Sequence, residues 1–199
     1  PFSVAYGLER LQDCLVIDIG AGTTDLCRMK GSMPDEEDQI TLTQAGDFVD
    51  NQLFELFKSR CPDASFNVNM VRDVKEQHAF VTEAAEPVLV TFPVRGKPKT
   101  FDVTAEMRKG CSRIVEPIVE AVNRLVSTFD PEFQDRLRNN VIVAGGGSRI
   151  HGLDRAIEEA LGPYGGGRVR SVQEPVYAGA NGALKIAYDM PVEAWEQLR

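Results

Sequence analysis

Residues 14–20 form an apolar run interrupted by one acid, Asp18, and this segment limits the possible folds more than any other. A carboxylate inside such a strand is costly to bury unless it is paired or stands beside a cation. Two residues after Asp18 the run gives way to Gly20, Ala21, Gly22, Thr23 and Thr24, then to Asp25 and a second strand-like segment over 26–30. The pattern predicts two strands around a tight turn. Small residues in that turn expose successive backbone N–H groups suited to phosphate oxygens, and Asp18 aimed at it would order a magnesium ion. The alternative is that Asp18 only bonds the turn amides and the glycines only permit the bend. Two familiar phosphate loops are excluded. There is no GxxxxGK[ST], and the GxGxx pattern ends in Asp25 and continues as a strand rather than opening a helix.

Further along, a third strand is expected over 39–43, completing an antiparallel meander, with the acidic Pro34-Asp35-Glu36-Glu37-Asp38 before it read as solvated turn. Asp47 is expected to cap a helix whose apolar face is Val49, Leu53, Phe54, Leu56 and Phe57, ended by Cys61-Pro62. A second helix over 68–77 precedes a hairpin, 88–94 with 100–103, turned by Arg95-Gly96-Lys97-Pro98. Residues 46–103 therefore read as a small inserted α+β lobe. Thr104 is expected to cap a long helix kinked at Pro117, and Asp130-Pro131 to start a shorter one. A strand over 141–144, a helix over 153–161, a strand over 168–172 and a helix over 178–188 complete an αβ pattern, followed by a short amphipathic segment, 191–199.

Two more stretches carry chemistry. Gly145, Gly146, Gly147 and Ser148 follow a buried strand and precede a helix, so a flat or charged ligand could approach the backbone there. Close helix–strand packing would explain the same glycines. Gly46 and Asp47 open a helix, and Lys75 lies downstream; on spacing alone Lys75 reads as a solvated cation. His78 and His151 have no Cys or His partner at zinc-binding spacing.

A chain of 199 residues with 22 Lys plus Arg against 30 Asp plus Glu, a net charge of -8, repels phosphate backbones and anionic lipid, so nucleic acid and membrane-surface roles are disfavoured. A nucleotide remains compatible, because backbone amides and a divalent cation need no basic surface. Cys14, Cys27, Cys61 and Cys111 lack CxxC spacing and read as reduced packing residues of a cytosolic protein. No apolar stretch approaches the roughly 20 residues that span a bilayer, so no membrane insertion is expected. The chain begins with Pro1, which suggests a fragment.

The order of these motifs resembles the actin and sugar-kinase superfamily. Residues 15–25 are similar to its second phosphate motif and 141–147 with Gly152-Leu153 to its adenosine motif; 1–7 and 174–184 are similar to its two connecting helices. Details over 24–29, 129–134 and 164–169 are similar to the magnetosome-filament branch of the bacterial actin-like ATPases. The resemblance implies an α/β, ribonuclease-H-like second domain with a mixed sheet flanked by helices: residues 1–45 and 104–199 as subdomain IIA, 46–103 as subdomain IIB. It implies ATP/ADP and Mg2+ as cofactors, with Asp18 ordering the metal through water, Gly20, Ala21, Gly22, Thr23 and Thr24 on the β- and γ-phosphates, and Asp25 near the attacking water. Gly145, Gly146 and Gly147, with Ser148, would underlie the nucleoside; Gly46, Asp47 and Lys75 would complete the pocket. Self-association into cytoplasmic filaments alongside magnetosome membranes is implied for the complete protein, with magnetosome adaptor proteins as further partners. Two departures stand out. The first phosphate loop and the water-activating Glu of the family lie outside these residues, so the chain alone is expected to be inactive, and Arg72 stands where relatives carry a glutamate. A sugar-kinase-type phosphotransferase and a non-catalytic filament-interacting fragment are the alternatives.

Overall fold

A computed structural model describes residues 1–84, 86–191 and 195. The chain opens with a short helix, α1 (Phe2–Gly7), and then the meander β1 (Gln12–Ile19), β2 (Thr24–Lys30) and β3 (Gln39–Leu42). In β1 the run from Cys14 to Ile17 is buried without alternation, as expected of a central strand covered on both faces. Leu15, Ile17 and Ile19 point into the main core, whereas Cys14 and Val16 join a second cluster with Val4 and Ala5 of α1.

Next come α2 (Gly46–Arg60), α3 (Val68–His78) and the hairpin β4 (Leu89–Val94) and β5 (Lys97–Asp102). The turn is tighter than expected. Only Arg95 and Gly96 form it, both at positive φ (51° and 78°), and Lys97 and Pro98 already belong to β5. Pro93 and Pro98 face each other in this two-stranded ribbon; the other edge of β4 is bridged at Ala64 and Val94, where Pro93 only has to accept, from Ser65 N at 2.8 Å. Val49, Leu53 and Phe57 of α2 and Phe92 of β4 share one core cluster with Leu15 and Ile17 of β1, so residues 46–103 pack onto the sheet.

The long helix expected after Thr104 is two helices, α4 (Thr104–Ser112) and α5 (Val115–Ser127). Pro117 is the third residue of α5, where the backbone N–H has no intrahelical partner, so the proline starts a helix instead of kinking one. Thr104 is the first helical residue rather than the cap. Asp102 Oδ1 accepts from its amide at 3.0 Å, and the Thr104 hydroxyl accepts from Val88 N at 2.8 Å, tying α4 to the hairpin. Asp47 likewise lies inside α2, whose N-cap is Ala45.

The remaining elements are α6 (Pro131–Arg138), capped by Asp130 as expected, β6 (Val141–Ala144), α7 (Leu153–Ala160), β7 (Val169–Ser171) and α8 (Ala178–Asp189). The five-stranded sheet has the order β3-β2-β1-β6-β7. The meander pairs are antiparallel, whereas β1·β6 and β6·β7 are parallel. It is an α/β fold with a mixed sheet between helices. The expected amphipathic segment 191–199 lies outside the described residues except Pro191 and Trp195.

The acidic loop needs a second correction, because it is not solvated throughout. Asp38 is fully buried, held by Arg28 and Lys30 at 2.7 and 2.8 Å. All four cysteines are buried and unpaired, and burial pushes the Cys14 and Cys111 thiols up to about 12 and that of Cys27 to about 11.

Candidate functional site

The turn between β1 and β2 closes on itself through Gly20 N donating to Thr23 O at 2.9 Å. Thr24 is fully buried, and its hydroxyl donates to Gln44 O at 2.7 Å, bracing the turn against the segment that leads into α2. The first two amides of α2 then reach back: Gly46 N donates to Gly20 O at 3.0 Å and Asp47 N to Ala21 O at 2.8 Å. A Cβ on Gly46 would stand 3.2 Å from Gly20 O, so glycine permits this approach. With their amides committed to the turn, Gly46 and Asp47 hold it in shape while also lining the cleft.

Asp18 and Asp25 are directly opposite across the β1·β2 ladder, and Ala144 of β6 faces Asp18 on the other side. Like charges directly opposite in an antiparallel pair repel unless a cation lies between or beside them. Asp25 accepts from Thr23 Oγ1 at 2.9 Å and Thr41 Oγ1 at 2.6 Å, while Asp18 is about a third exposed (32%). This donor set, two hard carboxylates beside a turn rich in backbone donors, fits a magnesium–phosphate group.

The glycine run meets the same place. Gly145 has φ 79°, and a Cβ there would lie 2.5 Å from Asp18 Oδ1 and against the Ile19 carbonyl; one on Gly147 would strike the Ile19 side chain. Ser148 is buried, its hydroxyl donating to Gly145 O at 2.8 Å. Both glycine stretches therefore serve close packing, and they also bring two strand ends to one opening.

That opening is a cleft of about 590 Å³, walled by Gly20 and Ala21, Gly46 and Asp47, Lys75, and Gly146 and Gly147. Asp18, Gly22, Thr23, Thr24, Asp25, Gly145 and Ser148, also expected at the site, are not among the residues that line the cleft. Lys75 is not a solvated cation. Only 13% exposed, it lies 2.7 Å from Asp50 Oδ1 and donates to Gly46 O at 3.2 Å. Arg72 bridges Asp50 Oδ2 at 2.7 Å and Asp47 Oδ1 at 2.8 Å, and the Asp50 hydrogen bond and charge raise the guanidinium further above its ordinary value. Asp50 is a participant to which the sequence pattern assigned no role, although an acid on the helix face that carries Val49 and Leu53 is a signal of the same kind as Asp18. Arg149 and His151, which also line the cleft, were signalled by nothing local.

The sheet order, the β1–β2 turn, and a cleft between the sheet and a helical insertion define an α/β protein of the actin-like class. The sequence matches the MreB/Mbl protein family over residues 6–193, and the chain belongs to that family. It is 42% identical over 198 residues to the actin-like protein MamK of Paramagnetospirillum magneticum, covering 100% of this chain and 57% of that protein. A structure of a MamK double helical filament superposes with a TM-score of 0.93 at 42% identity, over 96% of this chain and 59% of the other. A non-polymerising MamK mutant bound to AMPPNP gives 0.88 at 42% identity, over 94% and 58%. The chain thus spans a little over half the length of the relatives it matches.

Proposed function

We propose that this chain is the ATP-binding half of a filament-forming bacterial actin-like ATPase that organises, aligns and segregates magnetosome chains. The observation that carries this reading is the convergence of the β1–β2 turn, the start of α2, the glycine run after β6 and Lys75 on one cleft. Similarity to MamK, one structure of which holds AMPPNP and another of which is a filament, supports both the ligand and the assembly.

In this reading the turn from Gly20 to Thr24 presents backbone donors to the β- and γ-phosphates. Gly145, Gly146 and Gly147 let the nucleoside lie against the strand ends, and Lys75 completes the wall. Asp18 would hold magnesium through water, and Asp25 would stand near the attacking water. Bound magnesium supplies charge neutralisation along the phosphates, which is where most catalysis of phosphoryl transfer resides. Subdomain IIA would be residues 1–45 and 104–199, and subdomain IIB residues 46–103. ATP hydrolysis, self-association and attachment to magnetosome adaptors in cytoplasmic filaments belong to the complete protein.

Calorimetric titration of the chain with AMPPNP tests the ligand. Binding should require magnesium and weaken at least about tenfold in Asp18→Ala, the loss of one charge-assisted contact. Affinity indifferent to both the metal and the substitution would sink the reading. Electron microscopy of the full-length protein with ATP tests the filament; absence of polymer across nucleotide states would remove that part alone.

A further inference from the structure

Asp50 is 1% exposed on α2, yet both of its cationic partners come from α3. Arg72 Nε donates to Oδ2 at 2.7 Å, and Lys75 Nζ stands 2.7 Å from Oδ1 in an ion-pair contact that lacks hydrogen-bond alignment. Lys75 spends its aligned bond on Gly46 O, 3.2 Å away. That carbonyl and the Asp47 N–H belong to one peptide plane, so holding one end aims the other at Ala21 O, 2.8 Å distant. An unbroken series of contacts therefore runs from α3, through Lys75 and the first peptide of α2, to the turn between β1 and β2.

An ammonium at this position needs explaining, because the N-terminus of a helix carries a partial positive charge and disfavours cations. The Asp50 carboxylate, one turn further along and 2.7 Å from Lys75 Nζ, offsets both charges. Without it the lysine would turn toward solvent and release Gly46 O. We propose that Asp50 is a positioning residue that clamps Lys75 onto the first peptide of α2, so that the phosphate turn and α3 of the inserted lobe move as one body. Occupancy of the turn would in this way be felt by the lobe. The coupling part of this inference rests on the nucleotide reading given above; the clamp does not.

Amide hydrogen exchange of the whole chain tests it. Without nucleotide, Asp50→Asn and Lys75→Met should each speed exchange at Gly46 and Asp47 about tenfold relative to Leu53 and Phe57 in the same helix, the size expected for one lost charged contact. Lys75→Met keeps the Asp50–Arg72 pair, so it remains informative if Asp50→Asn does not fold. Unchanged exchange at Gly46 and Asp47 in the folded variants overturns the clamp. With magnesium and AMPPNP, the wild-type chain should gain protection in both the turn and α3, and Lys75→Met in the turn at most. Retained α3 protection in that variant overturns the coupling. A wild-type chain that gains no protection anywhere overturns the nucleotide reading and the coupling with it, and the nucleotide-free comparison still decides the clamp.

Discussion

Two buried carboxylates, Asp38 and Asp50, each gather two cations, and the way they do so separates a structural clasp from a site. Asp38 sits beyond the far end of β2 from the β1–β2 turn. Its Oδ1 receives Arg28 Nε and a second guanidinium nitrogen, and its Oδ2 receives Lys30 Nζ and the Asp35 amide, all within 3.0 Å. Arg28 is equally engaged, donating to Leu125 O and stacking 4.6 Å from the Phe129 ring centre. Neither Asp38 nor Arg28 lines the cleft. Asp50, by contrast, leaves one oxygen without an aligned donor, and both of its cations border the 590 Å³ cleft. A buried charge saturated by its own chain stabilises a shape, whereas Asp50 keeps an oxygen without an aligned donor at the wall of a cleft.

The most severe test of this contrast is truncation. Asp38→Ala should cost about 3–5 kcal/mol in urea unfolding, because it strands Arg28 as an unpaired buried charge. Asp50→Ala should cost visibly less, since Arg72 is 41% exposed and can rehydrate. Equal losses would erase the distinction. A middle-sized effect is expected at the cleft itself: Gly145→Ala should destabilise by about 2 kcal/mol, combining strain at positive φ with contact against Ile19 O and Asp18. A melting temperature indistinguishable from wild type would show that the two strand ends are not held as closely as described.

Acid provides a gentler probe. Burial on its own would raise the Asp38 carboxyl, but hydrogen bonds from Lys30, the Asp35 amide and Arg28 outweigh it and hold the group below its ordinary value. A depressed folded-state pKa contributes stability that is complete above the unfolded value of about 3.9. That contribution is lost as pH falls through the folded one. Unfolding free energy measured from about pH 6 downward should therefore drop below about pH 4, and Asp38→Asn should flatten that part of the curve. The smallest response belongs to the thiols. Cys14, Cys27, Cys61 and Cys111 are all buried, so native protein should resist alkylation at neutral pH and label at all four positions in denaturant. Rapid labelling of the folded chain would contradict the packing of β1 and β2.

Much of the scaffold could be read locally. The meander, α2, the β6–glycine–α7 passage and the hairpin follow from apolar period, turn residues and proline positions, each a consequence of sterics between neighbours a few residues apart. The errors were local too, and each has a cause. Pro117 lies within the first turn of a helix, where it is tolerated, and Thr104 is preceded by a better acceptor in Asp102. The type of charged contact was harder to read. Asp38 and Lys75 both looked solvated because burial depends on what the fold packs over them, which the neighbouring residues do not reveal. Their partners are Arg28, itself anchored 97 residues away on Leu125, and Asp50 on a different helix.

Residue order alone marked the glycine-rich bends and which strands could be central, because those depend on side-chain size and periodicity within a single segment. It also placed Asp18 and Asp25 on either side of one glycine-rich bend. Only the tertiary structure decided that the bend, the glycine run after β6 and the start of α2 share a cleft, and that Asp50 governs Lys75. The reason is electrostatic. The cost of a buried charge is set by which distant counter-charge and donor the fold delivers to it, and no local pattern in the chain encodes that meeting.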